Sequence, residues 1–269
     1  MDVRLIPHRR ESAAWNLALE EALFLKSKEK LKQGLPVQPV VKTYSFRKPS
    51  VVLGHRQDIN EVDSQYIEEQ GLDMTMRTTG GGSVYLGRED LQYSLILPTH
   101  YNKNLLSKVN SKITNSLQNL GLPAQLKNKT GHDIVRVDDK GSIFDAQRRY
   151  KNLILHHGTT LVDNFDYDHM PQALKASKKE LKTLETGNLW LRQLEQVKEK
   201  ALVKSFQQNL PEETSVKKKD YTGEEIKLAR KLYKEFYTDK NKYSDGKKKF
   251  GICYLTDSEY DMEEYAEED

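Results

Sequence analysis

Three consecutive glycines place the tightest constraint on this chain. They sit in Arg77-Thr78-Thr79-Gly80-Gly81-Gly82-Ser83-Val84-Tyr85, between a polar run and an apolar one that resumes in alternation over Leu91-Gln92-Tyr93-Ser94-Leu95-Ile96-Leu97. Glycine reaches φ > 0 and lets a ligand approach the backbone closely. Successive N–H groups in such a turn form a concave nest for phosphate or carboxylate. Arg77 adds a guanidinium suited to bidentate contact with an anion. The same residues also suit a plain hairpin turn, and the stretch alone leaves both readings open.

The surrounding elements follow from periodicity and turn residues. Residues 11–31 read as a helix capped by Ser12, with Trp15, Leu17, Ala18, Ala22, Leu25 and Leu31 close to helical spacing. Residues 40–46 and 50–54 read as strands, and residues 62–70 as a helix closed by Gly71. Residues 91–97 form a strand, and residues 104–120 a helix stopped by Gly121 and Pro123. Residues 133–137 and 153–162 read as strands, with a hairpin turn over 138–141. Residues 165–210 read as mainly helical, including 189–209. Residues 211–221 read as a linker, 223–237 as a helix and 247–254 as a last strand.

Charge matters for partners. The chain carries 43 basic and 40 acidic residues, a net charge of +3. Eight of the acids and no base fall in 257–269, so the remaining chain carries 43 basic against 32 acidic residues. A basic body with an acidic, disordered tail is the expectation, and such a body favours acidic partners. The lysine runs at 217–219 and 247–249 lack interleaved stacking aromatics, so no nucleic-acid partner is expected. The chain has no apolar run of spanning length and no signal-peptide core at its N-terminus, which predicts no membrane partner. A single cysteine, Cys253, excludes an intramolecular disulfide and fits a reducing cytoplasm. His156 and His157 adjoin each other on a strand and face opposite ways, so they do not share a metal, and no metal-ligating residues are assigned.

Several separated segments together resemble the lipoate–protein ligase and octanoyltransferase family, which shares its catalytic domain with biotin–protein ligases. Trp15-Asn16-Leu17-Ala18-Leu19-Glu20-Glu21-Ala22-Leu23 resembles its opening helix, and Ser50-Val51-Val52-Leu53-Gly54-His55-Arg56-Gln57-Asp58 its second strand and turn. Arg77-x-Thr79-Gly80-Gly81-Gly82-x-Val84 resembles the glycine loop, and His132-Asp133-Ile134 an Asn-Asp-hydrophobic element. Ala146-Gln147-Arg148-Arg149 and Leu155-His156-His157-Gly158-Thr159-Thr160-Leu161 resemble the segments around the acyl site.

The resemblance implies an α+β fold of mixed and antiparallel sheets flanked by helices, of the biotin/lipoate ligase, class II synthetase-like type, with a small C-terminal helical unit. It implies a catalytic domain over 1–210, an accessory unit over 211–256 and the acidic tail over 257–269. The implied chemistry is ATP- and Mg²⁺-dependent activation of lipoate or octanoate to an acyl-adenylate, then transfer to a lysine of a carrier domain. That carrier is the lipoyl domain of a 2-oxoacid dehydrogenase or a glycine-cleavage H-type protein. A separate small accessory subunit is a further implied partner. Arg77, Thr79, Gly80, Gly81, Gly82, Val84, Asp133, Gln147, His156, His157 and Gly158 are the implied substrate- and adenylate-binding residues.

The chain departs from the pattern at charged positions. Aligned on Ala146-Gln147, the family's essential lysine falls on Gly141, and Lys140 is the displaced candidate for the catalytic lysine. One residue along a strand reverses the side-chain face. Met76 stands where the family has a first arginine, and Leu86 where a histidine follows the loop. No cysteine lies near His132-Asp133, which argues against the cysteine-dependent transferase branch. An octanoyltransferase that takes its acyl group from a carrier protein, and an idle relative that only binds acyl ligand or carrier, remain as alternatives.

Overall fold

The structure is a computed structural model describing residues 2–55, 57–99, 103–121, 124–129, 132–137, 140–141, 143–160, 168–176, 204–205 and 215–238. Its strands are β1 (Val3–Glu11), β2 (Val40–Phe46), β3 (Ser50–Leu53), β4 (Asp73–Met76), β5 (Val84–Leu86), β6 (Leu91–Leu97), β7 (Ala124–Lys129), β8 (His132–Val137), β9 (Lys140–Gly141), β10 (Ile143–Tyr150), β11 (Leu153–Thr160) and β12 (Val216–Lys218). Its helices are α1 (Ala13–Lys32), α2 (Ser64–Glu69), α3 (Lys103–Gln118), α4 (Met170–Ala173) and α5 (Gly223–Leu232).

Among the described residues the strands form one six-stranded sheet, ordered β10-β11-β6-β2-β1-β12, and two three-stranded sheets, β4-β3-β5 and β7-β8-β9. The large sheet is mixed. Strand β1 runs parallel to β2 and β12, while β2, β6, β11 and β10 pair antiparallel. The α+β reading holds, with mixed sheets flanked by helices.

Helix α1 is the hub. Ser12 caps it by accepting the Trp15 N–H at 3.2 Å. The spacing predicts a single apolar face, but the helix is buried on two. Leu23 and Phe24 pack with Ile6, Val40, Ile96 and Leu155 of the large sheet. Leu17, Ala18 and Ala22 pack with Val51, Leu53, Met76, Ala229 and Leu232. Each fully buried apolar side chain of this size contributes roughly 1.5–3 kcal/mol. The helix therefore carries Asn16, Glu20 and Glu21 into the interior with its apolar residues, and each must find a partner there.

Strands β1, β7 and β10 are among those the sequence reading does not name. Strand β1 begins with four buried residues in a row, which hides the alternation of a half-exposed strand. Strands β7 and β10 are too polar to stand out. The linker reading of 211–221 is corrected in part. Within it Val216–Lys218 pairs with β1, and it is legible only through that partner, since all three residues are exposed. Beyond it, α5 starts at a capping box of Thr222 and Glu225 and lies on α1. Buried Arg4 donates to both Glu225 oxygens at 2.7 and 2.8 Å, tying β1 to α5. Trp15 meets Tyr233 edge to face at 5.4 Å, and the Tyr237 hydroxyl donates to Glu21 at 2.7 Å. Strand β8 turns back onto β9 with Val137 opposite Lys140, as the hairpin reading expects. The expected helix 189–209, apart from residues 204–205, the strand 247–254 and the acidic tail lie outside the described residues.

Candidate functional site

The glycine loop joins β4 to β5, and Arg77 at its root holds it. One Arg77 nitrogen, Nη2, donates to the carbonyls of Gly80 at 2.7 Å and Gly82 at 2.8 Å, and Nη1 reaches the Val52 carbonyl at 3.2 Å. The guanidinium is therefore committed to the loop's own backbone, and burial lowers its pKa to about 10. This has a consequence for the anion nest. No peptide here is cis, so each N–H points opposite the carbonyl of the same peptide unit. With the Gly80 and Gly82 carbonyls turned onto Arg77, the N–H groups of Gly81 and Ser83 turn away from it. Gly81 has φ 93°, which favours glycine. Gly54 packs so closely beneath the loop that a Cβ there would lie 1.8 Å from the Gly81 carbonyl oxygen. The loop thus needs a glycine on each side of that contact.

A chain of buried polar groups runs from α1 to the loop. Glu20 Oε1 lies 2.7 Å from His157 Nδ1, and His157 Nε2 lies 2.7 Å from Thr79 Oγ1. Ser94 donates to the other Glu20 oxygen, and the Tyr44 hydroxyl reaches it at 3.3 Å. Burial pushes the Glu20 carboxyl up, but His157, Lys42 and Ser94 together outweigh it and hold it below the usual carboxylate range. An ionised carboxylate only accepts, so His157 Nδ1 carries a proton and a neutral ring leaves Nε2 to accept the Thr79 hydroxyl. Lys42 is also buried. Its ammonium donates to the Asn16 carbonyl at 2.6 Å and sits 3.9 Å from the Tyr44 ring centroid. Burial brings its pKa down to about 7 against the pull of Glu20.

His157 and Tyr44 of this network border a half-open cleft of about 460 Å³, counting space open to solvent. Leu17, Tyr44, Phe46, Val52, Val84, Leu86 and Ala146 form its apolar walls, while Arg77, Gln92, His157 and Thr159 supply polar groups. The Thr159 hydroxyl is buried and has no partner among the described residues. Such a group seeks a partner in whatever fills the cleft.

The structure brings Arg77, Val84, His157 and Gly158 to the cleft, with Thr79 bonded to His157; Gly80, Gly81 and Gly82 are exposed and do not line it, and Gly80 and Gly82 reach it only through Arg77. It does not bring His156 or Gln147 there. Pairing of β10 with β11 sets Ala146 opposite His157 and Gln147 opposite His156, so the second pair faces the other side of the sheet. There His156 lies 5.8 Å from Tyr93, and burial lowers its pKa to about 3. Asp133 lies on β8, which meets β10, and Lys140 on β9, which pairs with β8; their side chains are outside the described residues. The departures take physical form. Leu86 is part of the apolar wall, and Met76 is in the core behind Arg77.

Sequence reasoning missed Glu20, Lys42, Tyr44, Gln92 and Thr159. Two of them left a signal. Glu20 and Glu21 interrupt the most apolar part of α1, and Lys42 shares its strand face with Val40 and Tyr44.

Comparison with known proteins bears on the family and the fold. Residues 12–213 match the family described as lipoyl protein ligase A/B catalytic domain. Lipoate–protein ligase 1 of Staphylococcus aureus is 30% identical over 170 residues, which are 62% of this chain and 48% of the ligase. Octanoyltransferase LipM of Bacillus subtilis is 27% identical over 188 residues, which are 60% of this chain and 65% of the transferase. The chain thus spans about half the length of the first of these curated relatives and under two thirds of the second. A crystal structure of lipoate-protein ligase A bound with ATP superposes with TM-score 0.69 at 23% identity, covering 94% of this chain and all of the other, a likeness of fold. With the family match extending over three quarters of its length, this chain belongs to the lipoyl protein ligase A/B catalytic domain family.

Proposed function

We propose that the chain is an acyl ligase that activates lipoate or octanoate with ATP to an acyl-adenylate and passes the acyl group to a lysine of a carrier lipoyl domain. The observation that carries this reading is the loop itself. Arg77, itself on the wall of the apolar cleft, holds the Gly80 and Gly82 carbonyls, which turns the N–H groups of Gly81 and Ser83 away from the guanidinium and leaves them without its contact. Fixed N–H dipoles suit a phosphate and a carbonyl that gains charge, and the apolar walls suit an unbranched acyl chain. Thr159 adds one hydrogen-bonding group inside that wall.

ATP, when bound, would supply the adenylyl group that turns a carboxylate into an acyl-phosphate mixed anhydride with AMP as leaving group. The loop N–H groups would face its phosphate, and Arg77 would act by keeping the loop in shape. Lys140, on β9, is the proposed cation in place of the family's lysine. Mg²⁺ is usually held by one or two carboxylates and by phosphate oxygens. Among the described residues no group of three or more His, Cys, Asp or Glu fits a metal, and Asp133 remains the proposed carboxylate. Supporting the ATP reading is the similarity to ligases, including one crystallised with ATP.

A second reading is an octanoyltransferase that needs no ATP, favoured by the similarity to LipM. The test is pyrophosphate release from ATP in the presence of lipoate or octanoate. The ligase reading expects stoichiometric pyrophosphate and an enzyme-bound adenylate. ATP-independent transfer from octanoyl carrier protein, with no pyrophosphate, favours the transferase.

A further inference from the structure

His157 and Glu20 form a dyad that the steps above do not use. The acceptor in any such transfer is a lysine ammonium, with a free pKa of about 10.4, so near neutral pH roughly one part in a few thousand is the nucleophilic amine. Something at the site must take its proton. We propose that His157 is the general base that deprotonates the acceptor lysine, and that Glu20 is the positioning residue that fixes its tautomer. This rests on the acyl-transfer reading and adds the group that makes the nucleophile.

The geometry carries it. His157 borders the cleft next to Gly158 and Arg77, so its ring faces the space an acyl carbonyl would enter. Glu20 takes the Nδ1 proton at 2.7 Å, which leaves Nε2 as the basic nitrogen, resting on the Thr79 hydroxyl at the root of the glycine loop. This is a base oriented by a third group, the arrangement general-base sites share. The surrounding charges are compatible. Lys42 on β2 also faces Glu20, beside the closer contact from His157. Tyr44 on β2 and Ser94 on β6 bond Glu20, Arg77 and the β10 carboxylate Asp145 also line the cleft, and His156 faces the opposite side of β11. Glu21, the next residue of α1, is engaged by Arg148 and Tyr237 instead.

The step balances without any redox change. An acceptor ammonium gives its first proton to the Thr79 hydroxyl as that hydroxyl passes its own to His157 Nε2, and the resulting imidazolium is held by Glu20. The amine nitrogen bonds to the acyl carbonyl carbon, the bond from that carbon to the adenylate phosphate oxygen breaks, and the second nitrogen proton leaves on the AMP phosphate.

The experiment bypasses ATP. Wild-type protein receives synthetic octanoyl-adenylate and a lipoyl domain, and single-turnover acylation is followed by intact mass between pH 6 and pH 10. With a base present, the wild-type rate flattens above neutral pH. The variants His157→Ala and Glu20→Gln lose roughly 10²–10³-fold near pH 7. Their rates then climb about tenfold per pH unit, so the deficit shrinks as the lysine deprotonates unaided. Added imidazole restores His157→Ala in part. A deficit of constant fold at every pH marks a structural role and overturns the proposal. So does a wild-type rate that itself climbs tenfold per unit to pH 10, a result that needs no variant to fold. Absence of any transfer from the adenylate overturns it too. Failure of pyrophosphate release with intact, base-assisted transfer overturns only the ATP reading.

Discussion

Two neighbouring carboxylates on α1 have opposite fates. Glu20 points into the cleft side and meets His157, Ser94, Tyr44 and the Lys42 charge, which together lower its pKa despite full burial. Glu21 points toward the C-terminal segment and meets Tyr237 at 2.7 Å and Arg148 at 3.5 Å, and burial wins and raises its pKa. One helix thus carries a charge made comfortable for chemistry and a second charge that the fold merely tolerates. The difference lies in the number and closeness of the partners, since both residues are almost fully buried.

Substitutions test this contrast in order of size. Replacing Glu20 with Leu leaves Lys42 and His157 without their anion. Breaking a buried pair by removing one partner costs about 3–5 kcal/mol, so urea denaturation should show a loss of that order. A loss below about 1 kcal/mol would show that the network is not held by Glu20. On the same side of the helix, Gly54→Ala puts a Cβ 1.8 Å from the Gly81 carbonyl. The backbone must shift, at a cost of roughly 1–3 kcal/mol, and acyl-adenylate binding by calorimetry should weaken with it. Unchanged binding would mean that the loop's position does not matter.

On the Glu21 side the effects are smaller. Tyr237→Phe removes one hydrogen bond to a buried carboxylate and should cost about 1–3 kcal/mol in the same denaturation assay, with little change in transfer. Glu21→Gln should be the mildest, within about 1 kcal/mol of wild type near pH 7, because it removes a charge that burial disfavours. pH separates the two residues further. The folded pKa of Glu20 is depressed, so its stabilisation is present above the unfolded value of about 4.3 and is lost as pH falls through the lower folded value. That of Glu21 is raised, so its penalty is present above the folded value and is relieved as pH falls toward the unfolded one. Stability curves of Glu20→Gln and Glu21→Gln against wild type should therefore diverge with opposite sign on acidification.

The same contrast explains what could be read from the sequence. The glycine loop was legible because backbone requirements leave fixed residue types: Gly54 and Gly81 are needed where no Cβ fits or φ is positive. Helix α1, β2, β3 and β6 were legible from their caps and apolar spacing. The polar network was not, because Glu20, Lys42, Ser94 and His157 come from four elements far apart in sequence, and only the sheet register lines them up. Adjacency misled in one place. His156 and His157 look equivalent in a string, and the pleat sends one to the cleft and the other to the far face beside Tyr93. Strand β12 was hidden for a related reason, since among the described residues it is held in the sheet by its pairing with β1.

The central claim is that this cleft makes and transfers an activated acyl group. It is tested most directly by incubating the protein with ATP, octanoate or lipoate, and a lipoyl domain, and reading the intact mass of that domain. The account predicts a mass gain of one acyl group on its acceptor lysine, dependent on ATP and on the added acid. A lipoyl domain that stays unmodified with ATP and either acid, while a known ligase modifies it under the same conditions, would contradict it.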